Sequence, residues 1–153
     1  MDLSEINLAV LVASLIVAST PLVLAALGEL VVEKSGVLNL GVEGMMIIGA
    51  VAGFIVGVET GSAYIGMIAA AVAGALLSLL FAFIILIMQA NQVASGLALT
   101  IFGLGIAALM GHPYTGIKSP QIQSISIPLL NDIPILGTMF FQHDLIVYFS
   151  LIS

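Results

Sequence analysis

The chain has 153 residues, 61% of them hydrophobic and only 7% charged, with a formal net charge of −6. An ordinary globular domain carries roughly 25% charged residues, so this composition excludes a soluble enzyme and a disordered tail; with two basic residues in all it also excludes a nucleic-acid binder, because so few cations cannot build a phosphate-binding surface. There is no cysteine, hence no disulfide framework, thiolate chemistry or cysteine-based metal site.

The charge-free stretches place the elements. No Asp, Glu, Lys or Arg lies between Glu5 and Glu29, or between Glu59 and Lys118. Apolar runs of about 18 or more residues read as membrane spans. The first span covers 6–27. It follows Asp2 and Glu5 rather than a basic leader, and it is longer than a signal-peptide core, so it reads as a retained helix. Pro21 sits within it and predicts a kink, with Ser19 and Thr20 placed to satisfy the freed carbonyl. A polar segment, 28–36, follows, with Glu29, Glu33 and Lys34.

The second span, 37–58, is too short unless it takes in polar residues. Its charge-free part runs only from Gly44 to Val58, which at about 1.5 Å per residue covers roughly 22 Å of a hydrocarbon core about 30 Å thick. To cross, the element must recruit residues from Val37 onward, which brings Asn39, Gly41 and Glu43 to the membrane edge or inside it. Irregular backbone at that depth is tolerated only against protein or a watery cavity. Asn39 either caps the second helix or lines a pathway where that helix is broken. Glu43 either complements the helix dipole or is a functional intramembrane acid.

The third span covers 63–88. Gln89, Asn91 and Gln92 make an uncharged turn, and the fourth span covers 93–110. Gln89, Asn91, Gln92 and Ser95 form a second polar cluster at its mouth, either an interfacial turn or side chains aimed at a passing solute. Segment 111–142 holds four of the five prolines (Pro113, Pro120, Pro128, Pro134) and cannot be one transmembrane helix; it reads as an extramembrane loop with a hairpin or short helix near 127–136. A fifth span starts at 143–153 and is about 16 Å long, short of a crossing, so the chain reads as a fragment. Lys34 marks a cytoplasmic loop and Lys118 an outer one.

Small residues recur four apart: Gly49, Gly53, Gly57 and Gly61 in the second span; Ser62, Gly66, Ala70, Gly74 and Ser78 in the third; Gly103, Ala107 and Gly111 in the fourth. Each glycine costs a helix about 1 kcal/mol relative to alanine. Close helix–helix contact repays that cost in lipid; a conduit lined by bare backbone is the other reading. Gly49, Gly53, Gly57, Gly66 and Gly74 are therefore expected packing positions. No catalytic set appears. His112 and His143 lack ligand spacing and read as interfacial, with a metal or proton role the lesser alternative, and Gly41 and Gly44 precede Met45 and Met46 rather than the Lys-Ser of a nucleotide loop. The fold class is an all-α, polytopic transmembrane helical bundle with a broken second helix. Its expected function is passage of a small polar solute, with no cofactor, no metal and no catalysis of its own.

The run from Gly28 to Met46 (GELVVEKSGVLNLGVEGMM) resembles the signature of bacterial ABC-importer permeases of the nucleoside and simple-sugar group, within the wider branched-chain amino acid, ribose and xylose permeases. Segment 91–99 (NQVASGLAL) is a second match, and 127–137 (IPLLNDIPILG) followed by 144–148 (DLIVY) a third. They occur in the family's order and cover most of the chain from Gly28 onward. The resemblance implies one of two permease subunits in the cytoplasmic membrane, embedded in lipid. Separate ABC ATPase subunits would power it by alternating access, and an extracytoplasmic solute-binding protein would supply it. It also implies that Asn39, Glu43 and Gly44 lie at the broken helix, with Asn91, Gln92 and Ser95 beside it. Family members are longer, and the loop that docks on the ATPase lies in their second half, so this stretch alone is expected not to couple ATP hydrolysis to transport. Two rivals remain on the residues: a secondary transporter coupled to protons through Glu43, and an assembly subunit with no pathway of its own.

Overall fold

A computed structural model describes residues 8–120 and 145–152. The described residues form five α-helices: α1 (Leu8–Lys34), α2 (Val42–Thr60), α3 (Ala63–Ala82), α4 (Gln92–Gly111) and α5 (Leu145–Ile152). No strand occurs among them. Four helices are long and apolar enough to cross a membrane, and the molecule is an all-α, multi-pass membrane protein. The chain divides into two compact units, one of residues 1–27 and 122–153, the other of residues 28–121.

In the first unit α1 continues through Pro21. The Ser19 and Thr20 hydroxyls both donate to the Ile16 carbonyl, at 2.9 and 3.0 Å, one residue before the Val17 carbonyl that a proline at position 21 deprives of its partner. Thr20 is buried and receives the hydroxyl of buried Ser150 from α5 at 3.4 Å. The expected hairpin near 127–136, His143 and the first residues of the fifth span lie outside the described residues.

In the second unit the expected polar segment is largely helical. α1 runs on to Lys34 because Glu, Leu and Lys are good helix formers. It stops at Gly36, whose φ of +84° is the left-handed conformation that glycine adopts without strain. Residues 37–41 are not helical. α2 then packs against α3 on one side and α4 on another. α3 is α-helical only to Ala82; Phe83–Ile87 form a π-helical turn, and Gln89 takes a left-handed φ of 53° before α4 begins.

Small residues carry the packing. A methyl group added at Gly66 would meet the Gly53 carbonyl oxygen at 2.6 Å, and one added at Gly53 would meet the Ala70 Cβ at 2.8 Å. Gly49 lies against the Ala70 carbonyl, Gly57 against Gly66, and Gly74 more loosely against the Met45 carbonyl at 3.9 Å. The other face of α2 meets α4 just as closely: a Cβ at Gly103 would lie 2.8 Å from the Gly44 Cα. Large apolar side chains point outward instead, Leu109 at 78% exposure and Ile101 at 71% among them, which suits a molecule whose solvent is hydrocarbon. A cluster of large buried side chains (Met45, Leu77, Phe81, Ile85 and Leu99) gathers at the first turn of α2, with Val37 packed against it. It therefore supports the non-helical segment.

The glycines separate by their surroundings. Gly66→Leu is expected to destabilise the purified protein by about 1–3 kcal/mol through overpacking against backbone, read as a fall of several degrees in its detergent melting temperature. Gly74→Ala, with only an ordinary contact to meet, should melt at or slightly above the parent temperature.

Candidate functional site

The non-helical segment between α1 and α2 has no helix or strand ladder to satisfy its backbone, and a buried backbone group left unpaired is costly. Side chains take over the task. The Leu38 amide donates to the Gln92 Oε1 at 2.7 Å, and the next amide, Asn39, donates to the Glu29 Oε1 at 3.0 Å. Gln92 opens α4 and Glu29 lies on the last turns of α1, so two consecutive backbone amides are held by acceptors on two different helices. The Gly41 amide donates to the Asn39 Oδ1 at 3.0 Å, an Asx turn that delivers the chain into α2. The Thr100 hydroxyl lies 3.0 Å from the Leu40 carbonyl and 3.2 Å from the Gly96 carbonyl of its own helix.

Glycine makes room for this arrangement. A Cβ at Gly96 would stand 3.0 Å from the amide nitrogens of both Leu40 and Gly41, and one at Gly44 would stand 2.7 Å from the Leu99 carbonyl oxygen. The segment lies directly on the first turns of α4, backbone against backbone.

Each expected site residue has a definite place. Asn39 is buried at 7% exposure; its carbonyl oxygen closes the Asx turn and its Nδ2 lies 3.7 Å from the Met45 sulfur. It does not cap α2, whose N-cap is Gly41. Gly44 is buried against α4, while Glu43 is exposed on the first turn of α2. Asn91 caps α4 by accepting the Ala94 amide proton at 2.9 Å, the local role that its position before a helix favours. Ser95 is half-buried one turn on. Of the second polar cluster, Gln92 is the member whose side chain crosses to residues 37–41.

The reading from sequence did not pick out Glu29, Gly96 or Thr100. Glu29 carries a signal in retrospect: it is the first charge after the long charge-free run, one helix end away from a segment that cannot pair its own amides. One carboxylate oxygen, Oε2, is shielded and without a hydrogen-bond partner among the described residues. Among the described residues no group of three or more His, Asp or Glu could hold a metal ion.

Comparison with known proteins bears on the whole chain. Residues 11–152 match the family model described as branched-chain amino acid transport system / permease component. The chain is 36% identical over 140 residues to the putative glucose ABC transporter permease protein TsgC13 of Haloferax volcanii, a match covering 89% of this chain and 43% of that protein. It is 37% identical over 153 residues to the guanosine ABC transporter permease protein NupQ of Bacillus subtilis, covering 93% of this chain and 48% of the relative. It is 31% identical over 145 residues to the nucleoside ABC transporter permease protein NupC of Lactococcus lactis, covering 88% and 46%. The chain thus spans less than half the length of these relatives. No solved structure matches it.

Removing an acceptor should be visible at the backbone. Gln92→Ala is expected to speed hydrogen exchange of the Leu38 amide about tenfold, the loss of roughly 1–1.5 kcal/mol of local protection, measured by mass spectrometry on a peptide covering 36–42. Exchange in the body of α3 should not change.

Proposed function

Since the chain belongs to the branched-chain amino acid transport system / permease component family, we propose that it is part of a permease subunit of an ABC importer for nucleosides or simple sugars. The observation that carries this reading beyond the family is the segment 37–41, whose polar backbone is held at the end of an apolar helix by Gln92, Glu29, Asn39 and Thr100. A carrier working by alternating access needs an element with two arrangements near its solute route. A segment fixed by a few side-chain hydrogen bonds can be rearranged at far smaller cost than a continuous helix. Asn39, Glu43, Gly44, Asn91, Gln92 and Ser95 are the proposed residues along that route.

Energy for the cycle comes from outside the chain: ABC ATPase subunits bind and hydrolyse the nucleotide, a second permease subunit completes the pathway, and an extracytoplasmic binding protein delivers the solute. The named relatives divide between a sugar and nucleosides. Both solute classes present several hydroxyl groups, which amide and hydroxyl side chains can exchange hydrogen bonds with.

The test is uptake of labelled guanosine and glucose by cells carrying the intact importer. Uptake of one of them should cease when ATP is depleted and persist when the proton gradient alone is collapsed. Asn39→Ala should lower the initial rate by about tenfold, the equivalent of roughly 1.4 kcal/mol. Uptake that follows the proton gradient instead would favour coupling through Glu43. Uptake untouched by Asn39→Ala and Glu43→Ala, with assembly lost in Gly53→Leu, would favour an assembly role.

A further inference from the structure

The Glu29 carboxylate is used by half. Its Oε1 accepts the Asn39 amide proton at 3.0 Å, while its Oε2 is shielded within the chain and meets no donor among the described residues. An ionised carboxylate can accept about four hydrogen bonds, and a buried acceptor left without a donor weakens the arrangement that buries it. The neighbouring clamp is chemically different: Gln92 is neutral, half-buried, and gives its oxygen to the preceding amide at 2.7 Å.

Resting on the pathway reading above, we propose that Glu29 is a positioning residue for transport, a reversible latch. It seats residues 37–41 through the Asn39 amide in this arrangement and releases them in the arrangement of opposite access. The Leu38 and Asn39 amides are neighbours in the chain, yet they are held by acceptors on two different helices. Here those acceptors are the end of α1 and the start of α4. A change in the spacing of these two helix ends cannot keep both bonds. The Glu29 bond is the one with a compensation for breaking, because release lets water reach the shielded Oε2. The Gln92 bond has no such reserve. The segment therefore stays with α4, to which Gly96 and Thr100 also tie it, and parts from α1.

The chain has no cysteine, and the Leu38 side chain is 40% exposed, so Leu38→Cys places a single thiol beside the latch without removing its amide. Maleimide labelling of that thiol would be measured in the intact importer, resting and arrested with ATP bound, with uptake normalised to assembled protein. With Glu29 present, the two states should differ in labelling rate by about fivefold or more. Glu29→Ala should bring that difference below about twofold and lower the maximal uptake rate about tenfold, with the KM for solute changed by less than about twofold. Glu29→Gln, which keeps an oxygen for the Asn39 amide, should restore most of both. The latch is overturned if Glu29→Ala keeps the state difference and the maximal rate, or if Glu29→Gln behaves like Glu29→Ala. The pathway reading fails on a separate result: in the Glu29 parent, saturating solute that leaves Leu38→Cys labelling unchanged in both states.

Discussion

A backbone that leaves its helix inside or beside a bilayer must find hydrogen-bond partners, and everything particular about this protein follows from how residues 37–41 find theirs. Two successive amides are taken up by Gln92 from α4 and Glu29 from α1. A third amide is taken up by the Asn39 side chain within the segment, and a carbonyl by Thr100. Each bond between neutral groups contributes about 1 kcal/mol net and the bond to a carboxylate somewhat more, whereas a buried amide left without an acceptor would cost about 1–3 kcal/mol. The polar side chains near the second helix are thus explained first by the needs of the chain itself.

That solution works only because the helices come unusually close. Gly41 and Gly44 on one side, and Gly96 and Gly103 on the other, remove the side chains that would hold the segment away from α4. On the opposite face of α2, Gly53 and Gly66 do the same against α3. α2 is gripped along both faces at backbone distance, and the buried cluster of Met45, Leu77, Phe81, Ile85 and Leu99 closes the end where the segment lies. The rigid part and the irregular part are adjacent by construction.

The residues around the segment also divide by what engages them. Asn39 and Asn91 are spent on local turns, one inside the segment and one at the start of α4. Gln92, Glu29 and Thr100 act between elements. Glu43 stands exposed on the first turn of α2 and outside these bonds. Its position at a helix N-terminus is electrostatically favourable whatever else it does.

The all-α membrane class, four spanning helices and the glycine ridges could be read from residue order, whereas the break expected within the second span, 37–58, is not there: α2 is continuous from Val42 to Thr60, and the irregular residues 37–41 precede it. Each legible feature depends on a local quantity: length against bilayer thickness, absence of charge, or spacing of small residues by four. Which ridge meets which was not legible. The pairing of Gly44 with Gly103, and the closeness of Gly96 to Leu40, depend on how helices far apart in the chain settle against one another. Nor was the course of the chain after residue 28, where helix propensity carried α1 on to Lys34, or the turn of α3 into a π-helical segment at Phe83. Glu29 illustrates the division best. Its type and position are written in the sequence as one acid in a polar stretch; that it accepts an amide ten residues away, with half its carboxylate shielded, is decided only when the chain turns back at Gly36 and α4 presses Leu38 and Asn39 against it. Hydrogen-bond partners across a fold are set by three-dimensional proximity, and proximity is what linear order does not record.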